Sequence, residues 1–520
     1  MKLHSYITAI GVFIFVFSIS GILMGKNGGE LIWQSSTDWV VNSIAPTNDA
    51  NGDGIPDVFV GSADYRAYCF SGDGSGIVWS WNFGAEVKTV ASIPDINGDG
   101  VDDCLAGGLD NTVYCMSGKP DHKGLTEILW SQPVDWHVWT LATIGDIDGD
   151  GIRECLAGAG DNTVYCFDGA YGDLLWSYMD TADILTVHAI PDVNKDGYED
   201  CLAGGHGNRV LCISGASEGN GELLWHYMIF PPEGTSVLSV APIADVNGDG
   251  VADCLASGLH ELVYCISGAS SGQADLIWSY PTGANVLSVA SISDVNGDGF
   301  SDCLAGGESD KVFCISGHTG TLIWSFPTAG TVYDVNHISD VNGDGFEDCI
   351  AGGAGNKVHC INGKSGSRLW EYENEDGGTV RCVAAIPDLN SNGIHDVVAG
   401  TDGSLVYAIE GGTSTTEVLA NPPVSDKPVQ YQLLQNYPNP FNQTTMISVL
   451  LPEKSEIRLD VFNLNGELVS TPIVGPFPAG IHQFRWNGEG LNGESLSSGC
   501  YLVRLKTNAF SSVKRMTLIK

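Results

Sequence analysis

DVNGDGFSDCLAGG, residues 294–307, packs three acidic residues, four glycines and a cysteine into fourteen positions. Related strings open at Asp49, Asp95, Asp146, Asp192, Asp245, Asp294, Asp340 and Asp388, spaced by 46 to 53 residues. A chain of 520 residues exceeds what one ordinary core organises, and this period makes it a repeat fold of eight units.

Each unit repeats one pattern. VLSVASIS (286–293) precedes the acidic string, and VFCIS (312–316) and LIWSF (322–326) follow it. The runs are short, rich in β-branched and aromatic residues, and bounded by Gly or Asp, so each unit reads as four antiparallel strands. No long helical periodicity is present. The expected fold class is all-β: an eight-bladed β-propeller, whose ring leaves few open sheet edges. The phase supports closure, because ELIWQSS (30–36) has fourth-strand character while the eighth unit stops after LVYAIE (405–410). The N-terminal strand is therefore predicted to complete the last blade, the alternative being an open solenoid. Trp33, Trp79, Trp130, Trp176, Trp225, Trp278, Trp324 and Trp370 occur once per unit and are read as packing residues between blades.

Within DVNGDGFSD, oxygen-bearing side chains stand at positions one, three, five and nine, with Gly at six for a sharp turn and a backbone carbonyl available at seven. A hard ion such as Ca²⁺ takes six to eight oxygens at about 2.3–2.6 Å. Soft metals require Cys or His, which these positions lack. The expected ligands are Asp49, Asn51, Asp53, Ile55 and Asp57 in the first loop, and Asp95, Asn97, Asp99, Val101 and Asp103 in the second. The third offers Asp146, Asp148, Asp150, Ile152 and Glu154, and the fourth Asp192, Asn194, Asp196, Tyr198 and Asp200. Asp245, Asn247, Asp249, Val251 and Asp253 form the fifth; Asp294, Asn296, Asp298, Phe300 and Asp302 the sixth. Asp340, Asn342, Asp344, Phe346 and Asp348 follow, then Asp388, Asn390, Asn392, Ile394 and Asp396. A plain Asx-rich turn uses the same residue types. Eight copies in register favour the ion, because their carboxylates repel one another without it. The third loop, with four carboxylates, should bind most tightly and the eighth, with two, most weakly. Lys195 takes a non-ligand place in the fourth and should face solvent.

Lys plus Arg number 23 against 63 Asp plus Glu, a formal charge of −40 that excludes nucleic acid as a partner and favours cations. The loops hold three ligand carboxylates each, except four in the third and two in the eighth, so up to eight Ca²⁺ would bring −40 to −24.

Residues 1–25 have Lys2 in a short polar head, an apolar run from about Ile7 to Met24, and small residues where cleavage can fall, the pattern of an export signal peptide. An uncleaved anchor is the alternative reading. No later segment could span a membrane. Twelve of the 15 cysteines form pairs eleven residues apart, from Cys104 and Cys115 to Cys349 and Cys360. If the two face each other across strands two and three, six intrablade disulfides are expected in an exported protein. The rival reading is buried thiols stacked between blades. Cys69, Cys382 and Cys500 are left unassigned.

The propeller spans residues 26–412 and a polar linker 413–430. From 431 to 520, alternating segments such as IRLDVFNLNGELV and CYLVRLKT read as a small Ig-like β-sandwich.

D-x-N-G-D-G-x-x-D between two propeller strands resembles the FG-GAP repeats of integrin α-subunits and bacterial surface proteins, which implies Ca²⁺ in the loops. CISGHTGTLIW (314–324) resembles the tryptophan-docking motif of eight-bladed quinoprotein dehydrogenases. LLQNYPNPFNQTT (433–445), IRLDVFNLNGELV, SSGCYLVRL and the basic end KRMTLIK resemble the C-terminal sorting domain of the bacterial type IX secretion system. That resemblance implies a secretion translocon as partner, passage through a periplasm, and a final place outside the cell or on the surface of a Gram-negative-type bacterium.

Catalytic constellations are scarce: no Gly-x-Ser-x-Gly, no His-Glu-x-x-His and no phosphate-cradling glycine loop. Departures from the repeat mark candidate ligand-binding residues instead: Trp39, Trp136, His137, Trp139, His188, Asp334, Asn336 and His337. The leading expectation is a secreted calcium-stabilised module that binds a surface glycan or protein. A polysaccharide lyase or glycoside hydrolase with its site at the propeller mouth comes second, and a quinone-dependent dehydrogenase third.

Overall fold

The computed structural model describes residues 28–229, 236–375, 377–412 and 431–519, the last span apart from 434–435, 437–440, 443–444, 453, 465, 478–479, 491–495 and 508–509. The export segment 1–25 and the linker 413–430 lie outside the described residues. The chain divides between residues 417 and 418 into two compact units. Among the described residues no helix is long and apolar enough to cross a membrane.

The sixth repeat shows how a unit folds. Strands Val286–Ile292, Asp302–Gly307, Lys311–Ile315 and Leu322–Pro327 pair antiparallel in that order. Its second strand, DCLAGG, is buried at all six positions because both faces are covered. That explains why the segment reads as a run of small and apolar residues without alternation. A Cβ on Gly306 would lie 2.5 Å from a Val332 methyl in the next sheet, so the close approach of blades requires glycine there.

The first unit, among the described residues, contains eight sheets with this four-strand core. Two gain a short parallel strand: Gly219–Asn220 beside Trp176 and Ser177, and Gly272–Gln273 beside Trp225 and His226. The first strands touch their neighbours in a closed cycle, in which Val41–Pro46 meets both Val87–Ile93 and Val380–Ile386. Strand Leu31–Ser36 completes the last sheet by pairing with Leu405–Ile409, placing Trp33 opposite Ala408. The propeller-like arrangement with an N-terminal closing strand is thus present.

Each outer-strand tryptophan fastens its blade to the next. Trp33, Trp79, Trp130, Trp176, Trp225, Trp278, Trp324 and Trp370 donate Nε1–H to the carbonyls of Gly72, Gly118, Gly169, Gly215, Gly268, Gly317, Gly363 and Gly411, respectively, at 2.5–3.0 Å. A buried indole satisfies its one donor in this way while its apolar body fills the interblade core.

The expected intrablade disulfides are corrected by strand register. Cys104 lies opposite Met116 and Cys115 opposite Leu105, so the two thiols leave opposite faces of the sheet, and the same one-residue offset recurs in the other five pairs. All fifteen cysteines are free. The strand-three thiol of one blade instead shares a core with the strand-two thiol of the next: Cys69 with Cys104, Cys115 with Cys155, and Cys166 with Cys201. Cys212 with Cys254, Cys265 with Cys303, and Cys314 with Cys349 continue the series. Where the ring closes, Val58 and Ala408 share the corresponding core, and Cys360 meets Val397. Denaturation without reductant should expose fifteen titratable thiols; recovery of three would restore the disulfide reading.

The second unit has a five-stranded sheet, Phe441–Asn442, Ser511–Ile519, Gly499–Lys506, Ser455–Asn463 and Leu468–Phe477 in spatial order, and a three-stranded one built from Gln432–Leu433, Thr445–Leu451 and Gly480–Trp486. Ile447, Val449, Leu459, Val461, Val503 and Leu505 share its core.

Candidate metal loops and mouth cavity

The acidic strings connect strands one and two at one edge of every blade. In the sixth, Asp294 accepts N–H bonds from Gly297 at 2.6 Å, Asp298 at 3.1 Å and Gly299 at 2.7 Å, winding the loop around the first carboxylate. Asp302 is fully buried beneath it and accepts from Val295 at 2.9 Å and Gly317 at 3.1 Å. Burial pushes the Asp302 carboxyl up to about 6; those two N–H donors oppose the rise, and the charges of Asp298 and Asp294 add to it. The ninth position therefore ties the loop to the blade.

The third loop tests the fit to a cation. With Asp148 where seven loops have Asn, carboxylate oxygens of Asp146, Asp148 and Glu154 lie within 4.8 Å of one another, as do those of Asp148, Asp150 and Asp168. This all-oxygen, multiply charged donor set suits Ca²⁺. Asp146, Asp148, Asp150 and Glu154 would hold the ion, which would neutralise carboxylates that backbone N–H groups meet only in part.

Asp168 belongs to a position that the sequence pattern did not flag. Eighteen residues after position five, Ser71, Ser117, Ser214, Ser267 and Ser316 each donate a hydroxyl to the position-five aspartate at 3.1–3.3 Å. Asn362 does the same toward Asp344. In the eighth repeat the roles exchange, with Asn392 donating to Glu410 at 3.1 Å, so a third carboxylate borders a loop that seemed to own two. The detectable signal was the Ser, Asp, Asn or Glu closing strand three, one blade turn away from the acidic string.

Position four adopts φ > 0 in every loop. Seven values come from glycines and Ser391, and the eighth is Lys195 at +67°, exposed as expected. A β-carbon is disfavoured in this region. Lys195→Gly should stabilise the chain by about 0.5 kcal/mol after the entropy of the more flexible unfolded glycine is subtracted, as read from the urea midpoint.

At the opposite edge the inner strands begin. Side-chain oxygens six residues before five of the acidic starts accept a backbone N–H from the next blade: Ser43 from Val90, Thr89 from Leu141, Thr186 from Val240, Ser239 from Val289 and Ser288 from Val335, at 3.2–3.4 Å. Asp334 occupies this register with a carboxylate, accepting from Val383 at 2.9 Å and from the Ser288 hydroxyl at 3.1 Å. It clasps three blades together. Burial pushes its pKa up to about 6, above the ordinary 3.8. The folded chain then holds more protons than the unfolded one between these values, so this group's contribution to stability declines as pH rises from about 4 to about 6. Asp334→Ser should abolish that slope and add about 1–3 kcal/mol near neutral pH, measured by urea melts on both chains.

The eight candidate ligand residues do not converge. Trp136, His137 and Trp139 form one aromatic group, with successive ring centroids 5.0 and 5.7 Å apart. His188 lies in the inner strand, its Nδ1 2.8 Å from the Ala189 carbonyl, and the surrounding wall lowers its pKa although the ring surface meets solvent. Asn336 accepts from the His337 N–H at 2.9 Å, leaving the His337 ring exposed. Trp39 alone of the eight lines the cavity at this edge, a space of about 840 Å³ shared with Asp38, Asn42, Tyr65, Glu86, Lys88, Tyr333 and Arg381. Its indole is 63 % exposed, while its backbone carbonyl is held by the hydroxyls of Thr37 and Ser62. Lys88, Tyr333 and Arg381 were missed. They stand seven residues before an acidic start, where repeats four to six have Leu185, Leu238 and Leu287.

Three family models match parts of the chain: an FG-GAP-like repeat at residues 192–256, a lambda-carrageenase beta-propeller domain at 310–443, and a FlgD Ig-like domain at 436–509. No curated protein matches. Among solved structures, Sqt1 of Saccharomyces cerevisiae is 14 % identical with a TM-score of 0.60, covering 74 % of this chain and 99 % of its own. The computationally designed Ika8 protein is 13 % identical with a TM-score of 0.53, covering 74 % and 100 %. These likenesses show the fold: a β-propeller scaffold of four-stranded blades with FG-GAP-like repeats, followed by an Ig-like domain.

Proposed function

We propose that the chain is an exported eight-bladed propeller, braced by calcium in the loops between the first and second strands of its blades, that binds a ligand at its mouth as a surface or adhesion module. The carrying observation is Trp39, a largely exposed indole on a fixed backbone in a cavity of about 840 Å³. That volume lies within the range of small-molecule and saccharide sites. The sequence resemblance of residues 431–520 to a type IX sorting domain supports delivery through the periplasm to the outer surface, with the translocon as partner. Calcium rests on the oxygen donor sets of the eight loops, among which the third brings its carboxylates together. The test is glycan-array binding by the calcium-loaded chain beside Trp39→Ala. A ligand lost in the variant supports the module, and an array blank at every feature speaks against it.

A second reading, a glycoside hydrolase or lyase, is favoured by the match of residues 310–443 to the propeller domain of a lambda-carrageenase. Release of reducing ends from lambda-carrageenan, abolished by His337→Ala, would promote it over the binding module.

A further inference from the structure

The mouth cavity brings two cations and three acids to one rim. In a chain of formal charge −40, two cations face it: Lys88 and Arg381. Lys88 is engaged, 2.5 Å from Glu86 and 5.9 Å above the Trp139 ring. Arg381 is different. Its guanidinium lies 4.9 Å over the Tyr333 ring, and among the described residues no carboxylate pairs with it, although 63 acids are available to the chain. Two of the three acids that share the cavity are turned elsewhere, Glu86 accepting from Lys88 and Asn42, and Asp64 from the Tyr68 hydroxyl and the Asp38 N–H, while the Asp38 carboxylate stays at the rim. A guanidinium braced on an aromatic face keeps its donors free for a planar or tetrahedral oxyanion.

We propose that the cavity lined by Trp39, Lys88, Tyr333 and Arg381 is a subsite for an acidic oligosaccharide. Trp39 offers a flat apolar face to a sugar ring, and Arg381 supplies the counter-charge to a sulfate or carboxylate substituent. Asp38 and the Asn42 carbonyl oxygen provide acceptors for hydroxyls at the same rim, the Asn42 amide nitrogen being spent on Glu86 and the Val87 carbonyl. The second exposed indole, Trp136, occupies the Trp39 register in the third repeat and is 53 % exposed. Lys88, from the repeat between them, packs on its neighbour Trp139, so an extended glycan crossing the first three blades meets aromatic and cationic groups in turn. The leucines at the Lys88 register in repeats four to six confine this chemistry to one side of the mouth.

This inference rests on the binding-module reading, and calorimetry on the calcium-saturated full chain separates the two. The probes are a chondroitin sulfate hexasaccharide, the same hexasaccharide desulfated, and neutral cellohexaose. The acidic probes should bind, and Arg381→Gln should weaken them about tenfold without moving the melting temperature. Arg381→Lys should recover part of the loss, because charge is kept while the fork is not. Binding of the sulfated but not the desulfated probe assigns sulfate as the recognised group; equal binding assigns the carboxylate. Neutral and acidic probes binding alike, with Arg381→Gln silent, would overturn the inference and leave the module standing. No binding of any probe by the folded chain would remove both.

Discussion

Chelation of calcium should lower the melting temperature of the propeller unit by more than about 15 °C. A site held at a hundred times its Kd contributes about 2.7 kcal/mol to the folded state, and four such sites contribute about 11 kcal/mol. At the usual scale of 2–4 °C per kcal/mol for domains of a few hundred residues, even a conservative conversion gives that shift. The molecular reason is visible in every loop: Asp57, Asp103, Glu154, Asp200, Asp253, Asp302, Asp348 and Asp396 are fully buried, and burial together with neighbouring carboxylates pushes each up to about 6 or 7. Their backbone donors offset part of this. A divalent ion among the exposed carboxylates above would offset the rest. Magnesium should rescue poorly, since it demands a small octahedral shell and sheds water reluctantly. Calorimetry with chelator, then with each metal restored, checks the expectation; a curve that chelator leaves in place would sink it.

Much of the architecture was legible because the repeat writes each physical requirement eight times. The Trp of LIWSF, the small residues of DCLAGG and the fourth-strand character of ELIWQSS each stated a packing or pairing need, and the indole bonds, buried second strands and closing strand answer them. The cysteines misled because spacing alone does not fix register. A two-residue turn would have put Cys104 opposite Cys115, but the turn through Leu109 and Asp110 also takes in Asn111 at φ +61°, and the added residue shifts the partner to Met116. The mouth was half legible. Trp39 stood out as an aromatic where none was needed, whereas Asp334 stood out for a reason unrelated to ligand, its carboxylate being spent on Val383 and Ser288. Arg381 and Lys88 escaped because long cations are unremarkable in sequence; what distinguishes them is the cavity they enter and, for Arg381, that among the described residues no carboxylate pairs with it.

Trp225→Ala should destabilise the propeller by about 4–6 kcal/mol, the largest single-residue effect expected outside the metal loops. Truncating a buried aromatic costs about 3–5 kcal/mol through lost transfer energy and the cavity left behind. Trp225 is wholly buried, in a core with Val210, Val237, Val240 and Ile266 from two adjacent blades. The change also strands the Gly268 carbonyl, which accepts the indole N–H at 3.0 Å, and an unsatisfied buried acceptor adds about 1–3 kcal/mol. Trp225 has a further duty that Trp278 lacks: its strand carries the parallel addition at Gly272–Gln273, so loosening it frees a segment of the next blade. Trp225→Phe separates the contributions by keeping most of the apolar body while removing the donor, and should cost about 1–3 kcal/mol. Urea denaturation of calcium-saturated protein reads both. If Trp225→Ala costs less than about 1 kcal/mol, interblade tryptophans do not hold this ring together, and its cohesion must come from the hydroxyl clasps and valines of the inner strands.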